Sequence, residues 1–383
     1  MKERDTESNV ELPVPPIAEA TEEELANFGE LVADDYLQFK NEFLEWLLLE
    51  GKDTYRYEGY SEQTVQTTHY KVEEAYRWIW NERGEYVKQI SIEDATELID
   101  YLARKTPHPD GYVYTFEKCL RRLLKFFREK RSVDIDEWEH EIPLNTNDDT
   151  TESKDRFYPE EMDALFRASI ASNSVRSYHN KRMSPDERDK IKAHLAQRFE
   201  KPKSEIGPED FKRANSWKIP SIIAMTADVG LRPIEIGRVK TSWIDVRNRQ
   251  LVVPAEESVK SNESWECALS TKSINALKNW IEERETYEKY RDTDLLWLTK
   301  RYNPYSSGSL NRILQNLMEV AEINEQGRNL SWYSFRHGVA SIWAEEEGIY
   351  HAKNQLRHSN IETTMRYTRG SPSKKSDIAD SMW

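Results

Sequence analysis

Apolar residues recur at helical spacing along most of this chain, and only one region shows the short runs expected of strands. Between Asp35 and Leu49, the residues Tyr36, Phe39, Phe43, Trp46 and Leu47 share one side of a helix that Gly51 closes. A second helix is predicted over 61–83, ending at Gly84, with Val65, Tyr76, Ile79 and Trp80 inward. A third starts at Ser91, with Asp94 three positions on in a pattern related to a capping box, and stops before Pro107. A fourth, over 112–129, carries Phe116, Leu120, Leu123, Leu124 and Phe127. Four helices of this length make a bundle.

The pattern resumes at Tyr158-Pro159-Glu160, where proline takes the first helical position. Ser184-Pro185-Asp186-Glu187 predicts a helix over 185–199 inside an otherwise polar interval, 171–215. A largely apolar helix leads from Trp217 to Asp228, and others are expected near 272–288, 309–322 and 332–346. Leu251-Val252-Val253-Pro254 and Trp265-Glu266-Cys267-Ala268-Leu269 read as two strands with Lys260 in the turn between them. The expected fold is mainly α with a small antiparallel β-sheet, in two domains. The boundaries read as an acidic flexible tail at 1–34, a helical domain at 35–130, an acidic linker at 131–155, a larger domain at 156–370 and a tail at 371–383. The 171–215 interval is an elaboration on the larger domain.

Charge changes this picture. The 383 residues carry a formal −14, which argues against a nucleic-acid partner until its placement is considered. Residues 1–35 hold a net −9 and residues 131–155 a net −7, so the rest of the chain is slightly basic at +2. Within it, Lys71 lies near the start of the second helix beside Thr67, Thr68 and His69, and the fourth helix carries Lys118, Arg121, Arg122, Lys125 and Arg128. Lys71, Arg121, Arg122 and Lys125 can hold duplex phosphates without reading sequence. The same row can equally be a solvated helix face. Cys119 and Cys267 are far apart and form neither a disulfide framework nor a zinc spacing. With a polar N-terminus and no apolar run of membrane-span length, the expectation is a soluble, cytoplasmic protein.

The candidate chemistry sits in the last third. Tyr333-Ser334-Phe335-Arg336-His337 is followed by Leu356-Arg357-His358, and Tyr367 comes nine residues after His358. Upstream, Gly230-Leu231-Arg232-Pro233-Ile234-Glu235 pins Arg232 at a helix junction, where Glu235 pairs with a neighbouring base or caps the helix. Arginines can clamp a phosphate, a histidine can hydrogen-bond it, and a tyrosine hydroxyl can attack it. Arginine, histidine and tyrosine this close also occur in ordinary helix packing. Arg357 can add a phosphate contact or face solvent, and Tyr333 can touch the site or fill core. Neither a phosphate-binding glycine loop nor a carboxylate cluster for magnesium is present in the sequence.

These boxes, in this order, resemble those of the tyrosine recombinases of the phage integrase and Xer type, over roughly residues 35–370. The resemblance implies a two-domain architecture: an N-terminal helical core-binding domain and an α+β catalytic domain clamping opposite sides of a duplex. It implies Tyr367 as nucleophile, Arg232 and Arg336 on the non-bridging oxygens of the scissile phosphate, His358 beside them and Lys260 as the acid for the 5′ oxygen. No cofactor or metal is implied. The expected partners are double-stranded DNA and a homotetramer on two DNA sites. Two positions depart from the family pattern. Tyr333 stands where the family usually has histidine, as in archaeal members, and can still donate a hydrogen bond although a phenol is a poor base near neutral pH. Arg357 stands where glycine is common. The alternatives are a type IB-like topoisomerase and a DNA-binding relative without catalysis.

Overall fold

The computed structural model describes residues 10–142, 144, 155–258, 264–358, 361–365 and 380. The chain divides into two units, 1–148 and 149–383. The first is helical: α1 (Glu19–Leu25), α2 (Glu30–Leu49), α3 (Glu62–Arg83), α4 (Ile92–Lys105) and α5 (Asp110–Lys130). Local signals set the helix ends. The Ser61 hydroxyl accepts from Thr64 N–H at the start of α3, Gly84 ends it in the left-handed region, and Ser91 with Asp94 forms a reciprocal capping box on α4. Rings from three helices make the core, Phe39 of α2 stacking on Phe127 of α5 with Tyr76 of α3 edge-on. Each such fully buried side chain contributes roughly 1.5–3 kcal/mol.

Two expectations for this unit are corrected. Residues 10–34 are not a free tail: Val14, Ile17 and Leu25 are buried in the bundle core. The physical anchor is Glu73 of α3. Its carboxylate accepts from Ala18 N–H at 3.0 Å and the Tyr36 hydroxyl at 2.8 Å, and pairs with Lys40 at 3.0 Å, both charged side chains being fully buried. Nor does 131–142 act as a bare linker, since Val133, Ile135 and Trp138 pack on the bundle and Trp138 Nε1 donates to Thr96 Oγ1 at 3.0 Å.

The second unit contains α6 (Pro159–Ser172), α7 (Pro185–Phe199), α8 (Pro208–Arg213), α9 (Lys218–Val229), α10 (Pro233–Ile236), α11 (Thr271–Arg284), α12 (Ser307–Val320), α13 (Tyr333–Glu346), α14 (Ile349–Leu356) and α15 (Ile361–Met365). Its antiparallel sheet has the order β1 (Ile244–Asp245), β2 (Gln250–Val253), β3 (Trp265–Ala268), with Leu251 opposite Ile244 on one side and Cys267 on the other. The expected mainly α fold with a small sheet is what the chain adopts. Helix α9 runs through the middle, buried from Ile219 to Thr226, against α6, α11 and α13. Two core tryptophans have their ring N–H paired: Trp297 Nε1 donates to Ser221 Oγ at 2.9 Å and Trp280 Nε1 to Leu296 O at 2.9 Å. The 171–215 interval is closed at its neck, where Val175 N–H donates to Ala214 O at 3.0 Å and Ser216 N–H to Asn173 O at 2.8 Å. Val175, Ile191, Leu195 and Phe211 then feed the same core as the rest of the unit.

Candidate active site

Helix α9 ends at Gly230 with φ of +59°, a left-handed conformation in which a side chain would also strike Leu356 Cδ2 at 2.7 Å. The turn it permits delivers Arg232 to the N-cap of α10, with Pro233 as first helical residue. Arg232 N–H donates to Glu235 Oε2 at 2.7 Å and its Nη1 to Glu235 Oε1 at 2.9 Å. Glu235 thus both caps the short helix and pairs with its arginine.

Arg336, one turn into α13, is 3% exposed. Its Nη1 donates to Gly230 O at 2.8 Å and its Nη2 to Leu356 O, so one guanidinium ties the end of α9 to the end of α14. Tyr333, three residues earlier, is 46% exposed, which removes the core-filler reading of that residue. His337 is half-buried, and burial first, then Arg336, lowers its pKa.

Arg357 ends α14 with φ of +57°, which accounts for glycine being the comfortable residue there. It does not face solvent. It is buried, and its Nη2 donates to Glu235 Oε2 at 2.7 Å and its Nη1 to Val229 O at 3.2 Å. Glu235 therefore stands between two guanidinium groups, with a third, Arg336, near enough to act on it. Burial alone would raise its pKa, but Arg357, Arg232 and Arg336 hold it below the ordinary carboxylate value.

His358 follows directly, buried, with its Nδ1 paired to Thr364 Oγ1 of α15 at 2.8 Å. Burial, then Arg336, Arg232 and Arg357, depress its pKa to about 3, so the ring is neutral at neutral pH. If the threonine hydroxyl donates to Nδ1, the Nε2 hydrogen is the one presented outward. Gln355 completes the frame: its Nε2 donates to Asp228 O at 3.1 Å and Ala268 O at 2.9 Å, and its Oε1 accepts from Ala268 N–H at 3.1 Å. That side chain fastens β3, and with it the β2–β3 hairpin, to the helix ahead of Arg357. The structure thus brings Arg232, Arg336, Arg357 and His358 together, while Lys260 and Tyr367 lie outside the described residues. Sequence reasoning missed Gln355 and Thr364, which carry no local signal, and the burial of Arg357.

A scan of family descriptions matches residues 208–374 to the phage integrase family, a stretch that holds every box just described. Those residues belong to the phage integrase family. The chain is 25% identical over 162 residues to the TnP I resolvase of Bacillus thuringiensis, covering 42% of this chain and 51% of that protein. Over 123 residues the chain is 28% identical to a putative tyrosine recombinase XerC of Pseudomonas aeruginosa, covering 31% of this chain and 29% of that one. The matched region therefore spans about half or less of these relatives. Among solved structures, the Tn1549 transposon integrase in complex with transposon right end DNA aligns at a TM-score of 0.53 and 12% identity, over 87% of this chain and 97% of that one. The XerH site-specific recombinase bound to difH substrate aligns at 0.51 and 15% identity, over 83% and 79%. These alignments reach beyond the phage integrase domain, so the two-domain fold is that of the tyrosine recombinases.

In the first unit the four predicted DNA contacts are all engaged within the bundle. Lys71 Nζ pairs with Glu74 at 3.0 Å and lies 3.8 Å from the Tyr112 ring centroid; Lys125 Nζ donates to Gly51 O at 2.9 Å. Arg122 donates to Thr68 at 3.1 Å, and Arg121 pairs with Glu117 and, at 2.8 Å, with Glu139. Arg128 meets Glu137 at 3.5 Å, so the acidic 131–142 stretch lies along the basic face of α5. Thr68 and His69, beside Lys71 near the start of α3, are fully buried.

Proposed function

We propose that the chain is a site-specific DNA recombinase that cleaves and rejoins double-stranded DNA through a covalent 3′-phosphotyrosine. The observation that carries this is the Arg232, Arg336 and His358 group gathered at one end of α9, with Tyr367 nine residues after His358. Scissile-phosphate oxygens would meet two fixed guanidinium groups and a neutral imidazole N–H where charge grows in the transition state. The Tyr333 hydroxyl, on the exposed start of α13, is a further donor. Tyr367 Oη attacks phosphorus in line and gives up its proton to solvent, the bond to the 5′ oxygen breaks, and Lys260 supplies the proton that this oxygen takes up. A 5′ hydroxyl of another strand reverses the step, so the phosphodiester bond is conserved in the covalent link. Lys71, Arg121, Arg122 and Lys125 would exchange weak internal pairs for duplex phosphates, and a homotetramer on two sites would provide the exchange partner. Among the described residues no helix is long and apolar enough to cross a membrane.

The test is covalent capture. The wild-type chain, mixed with fragmented DNA from its source and quenched with detergent, should retain DNA fragments; Tyr367→Phe should bind DNA and retain none. Adduct persisting in Tyr367→Phe would show a different nucleophile, and a wild-type chain that never captures DNA would defeat the proposal.

A further inference from the structure

We propose that the cleft between the 171–218 stretch and the segment joining α11 to α12 binds a small molecule carrying two or more phosphate groups. The cavity measures about 510 Å³, a volume suited to a small ligand and not to a rod-like duplex. Arg176, Arg182, Lys218, Lys289 and Lys300 line it, and among the described residues no aspartate or glutamate does. It is distinct from the arginine cluster. Lys218 opens α9 and Gly230 closes it, so the two sites stand at opposite ends of a helix of about 17 Å.

The cations are held in place by the fold. Lys218 Nζ donates to Leu298 O at 3.3 Å and Lys289 Nζ to Thr299 O at 3.2 Å, adjacent carbonyls of one stretch. Arg176 is oriented by Glu187 at 2.6 Å. Behind the wall, the buried Glu283 carboxylate accepts from Ser216 Oγ at 2.7 Å, Trp217 N–H at 2.7 Å and the Tyr287 hydroxyl at 2.8 Å, fixing the lining residues Ser216 and Tyr287 and the start of α9. Tyr302, 52% exposed, has the Lys289 ammonium over its ring, 5.7 Å from the centroid. Burial, and after it the neighbouring cations, bring Lys218 down to about 8 and Lys289 to about 7. Five basic side chains have been gathered in a concave, partly desolvated place against two carboxylates, Glu187 and Glu283, set behind its lining, and an anion relieves the remaining excess of positive charge. With five cations on one cavity, a single phosphate is too small a complement.

This inference does not depend on the recombinase reading. The full chain is titrated calorimetrically with inorganic pyrophosphate at neutral pH, with adenosine and a short DNA duplex as further arms. Pyrophosphate should bind one to one, adenosine should not, and affinity should fall on the order of tenfold in Lys289→Gln/Lys300→Gln. That variant should keep the wild-type unfolding midpoint, and Arg232→Ala should bind pyrophosphate as the wild type does. No saturable binding, equal affinity in the double variant, or loss in Arg232→Ala would overturn the proposal. So would displacement of pyrophosphate by the duplex, which would assign the cleft to a nucleic-acid backbone.

Discussion

Replacing Glu235 by glutamine tests whether the arginine cluster is assembled around that carboxylate. Glu235 meets Arg232 at 2.9 Å and Arg357 at 2.7 Å, and the three side chains are 14%, 17% and 5% exposed. At an effective dielectric near 20, each pair is worth about 4 kcal/mol before desolvation. Removing one member of a buried pair typically costs about 3–5 kcal/mol, because the partner charge stays behind. Here two partners stay behind, so the upper half of that range is expected. For a unit of this size it corresponds to roughly a 10 °C fall in unfolding midpoint. The pH dependence has a definite sign. The folded pKa of Glu235 lies below its ordinary value. Its stabilisation is therefore fully present above about pH 4.3 and lost as pH falls through the lower folded value, and Glu235→Gln should lack that acid limb. Thermal unfolding followed by circular dichroism reads both effects. Sulfate should raise the midpoint of Glu235→Gln more than that of the wild type, since an anion replaces the missing charge. A midpoint within about 2 °C of wild type at neutral pH would refute the reasoning.

Three further outcomes are expected. Lys40→Met should destabilise the first unit by about 3–5 kcal/mol in urea unfolding, and Lys40→Met/Glu73→Leu should recover much of the loss; additive losses would count against a buried ion pair. Glu137→Gln/Glu139→Gln should tighten DNA binding at low salt, because surface pairs worth about 0–1 kcal/mol each no longer compete for Arg121 and Arg128; unchanged affinity would mean that this face does not meet DNA. Deletion of residues 374–383, which include Ile378, Met382 and Trp383, should leave single-site binding intact and weaken paired-site complexes in gel shifts; equal synapsis and strand exchange would defeat a docking role for that tail.

The parts of this chain that could be read beforehand are those whose cause is local. Ser91 with Asp94 and Ser184 with Pro185 mark helix starts within a residue because capping involves neighbours three apart. Gly230-Leu231-Arg232-Pro233 announces a helix end, a left-handed turn and a new helix in four letters. What escaped is what depends on distant partners. Helix α1 looks like an acidic tail because its order comes from Glu73, more than fifty residues on. Arg357 sits within the Leu356-Arg357-His358 box in sequence, yet its burial is set by Glu235, 122 positions earlier. Gln355 is an unremarkable helix residue until β3 is laid against it. The phosphate cleft draws its cations from four separate stretches and has no sequence signature at all.

The entry of the chain into the second unit has a mechanical consequence. Asp155 accepts from Asn329 N–H at 2.9 Å, Phe157 N–H donates to Ser334 O at 3.2 Å, and Arg156 reaches Glu345 at 3.6 Å. Gly338 lies so close that a side chain there would meet Phe157 O at 2.4 Å. The polypeptide arriving from the first unit is thus moored along α13, the helix that carries Tyr333 and Arg336. A tug on that tether would load the residues just ahead of α13 and the arginine-bearing helix itself, which makes the mooring a natural place for strain to enter the arginine cluster.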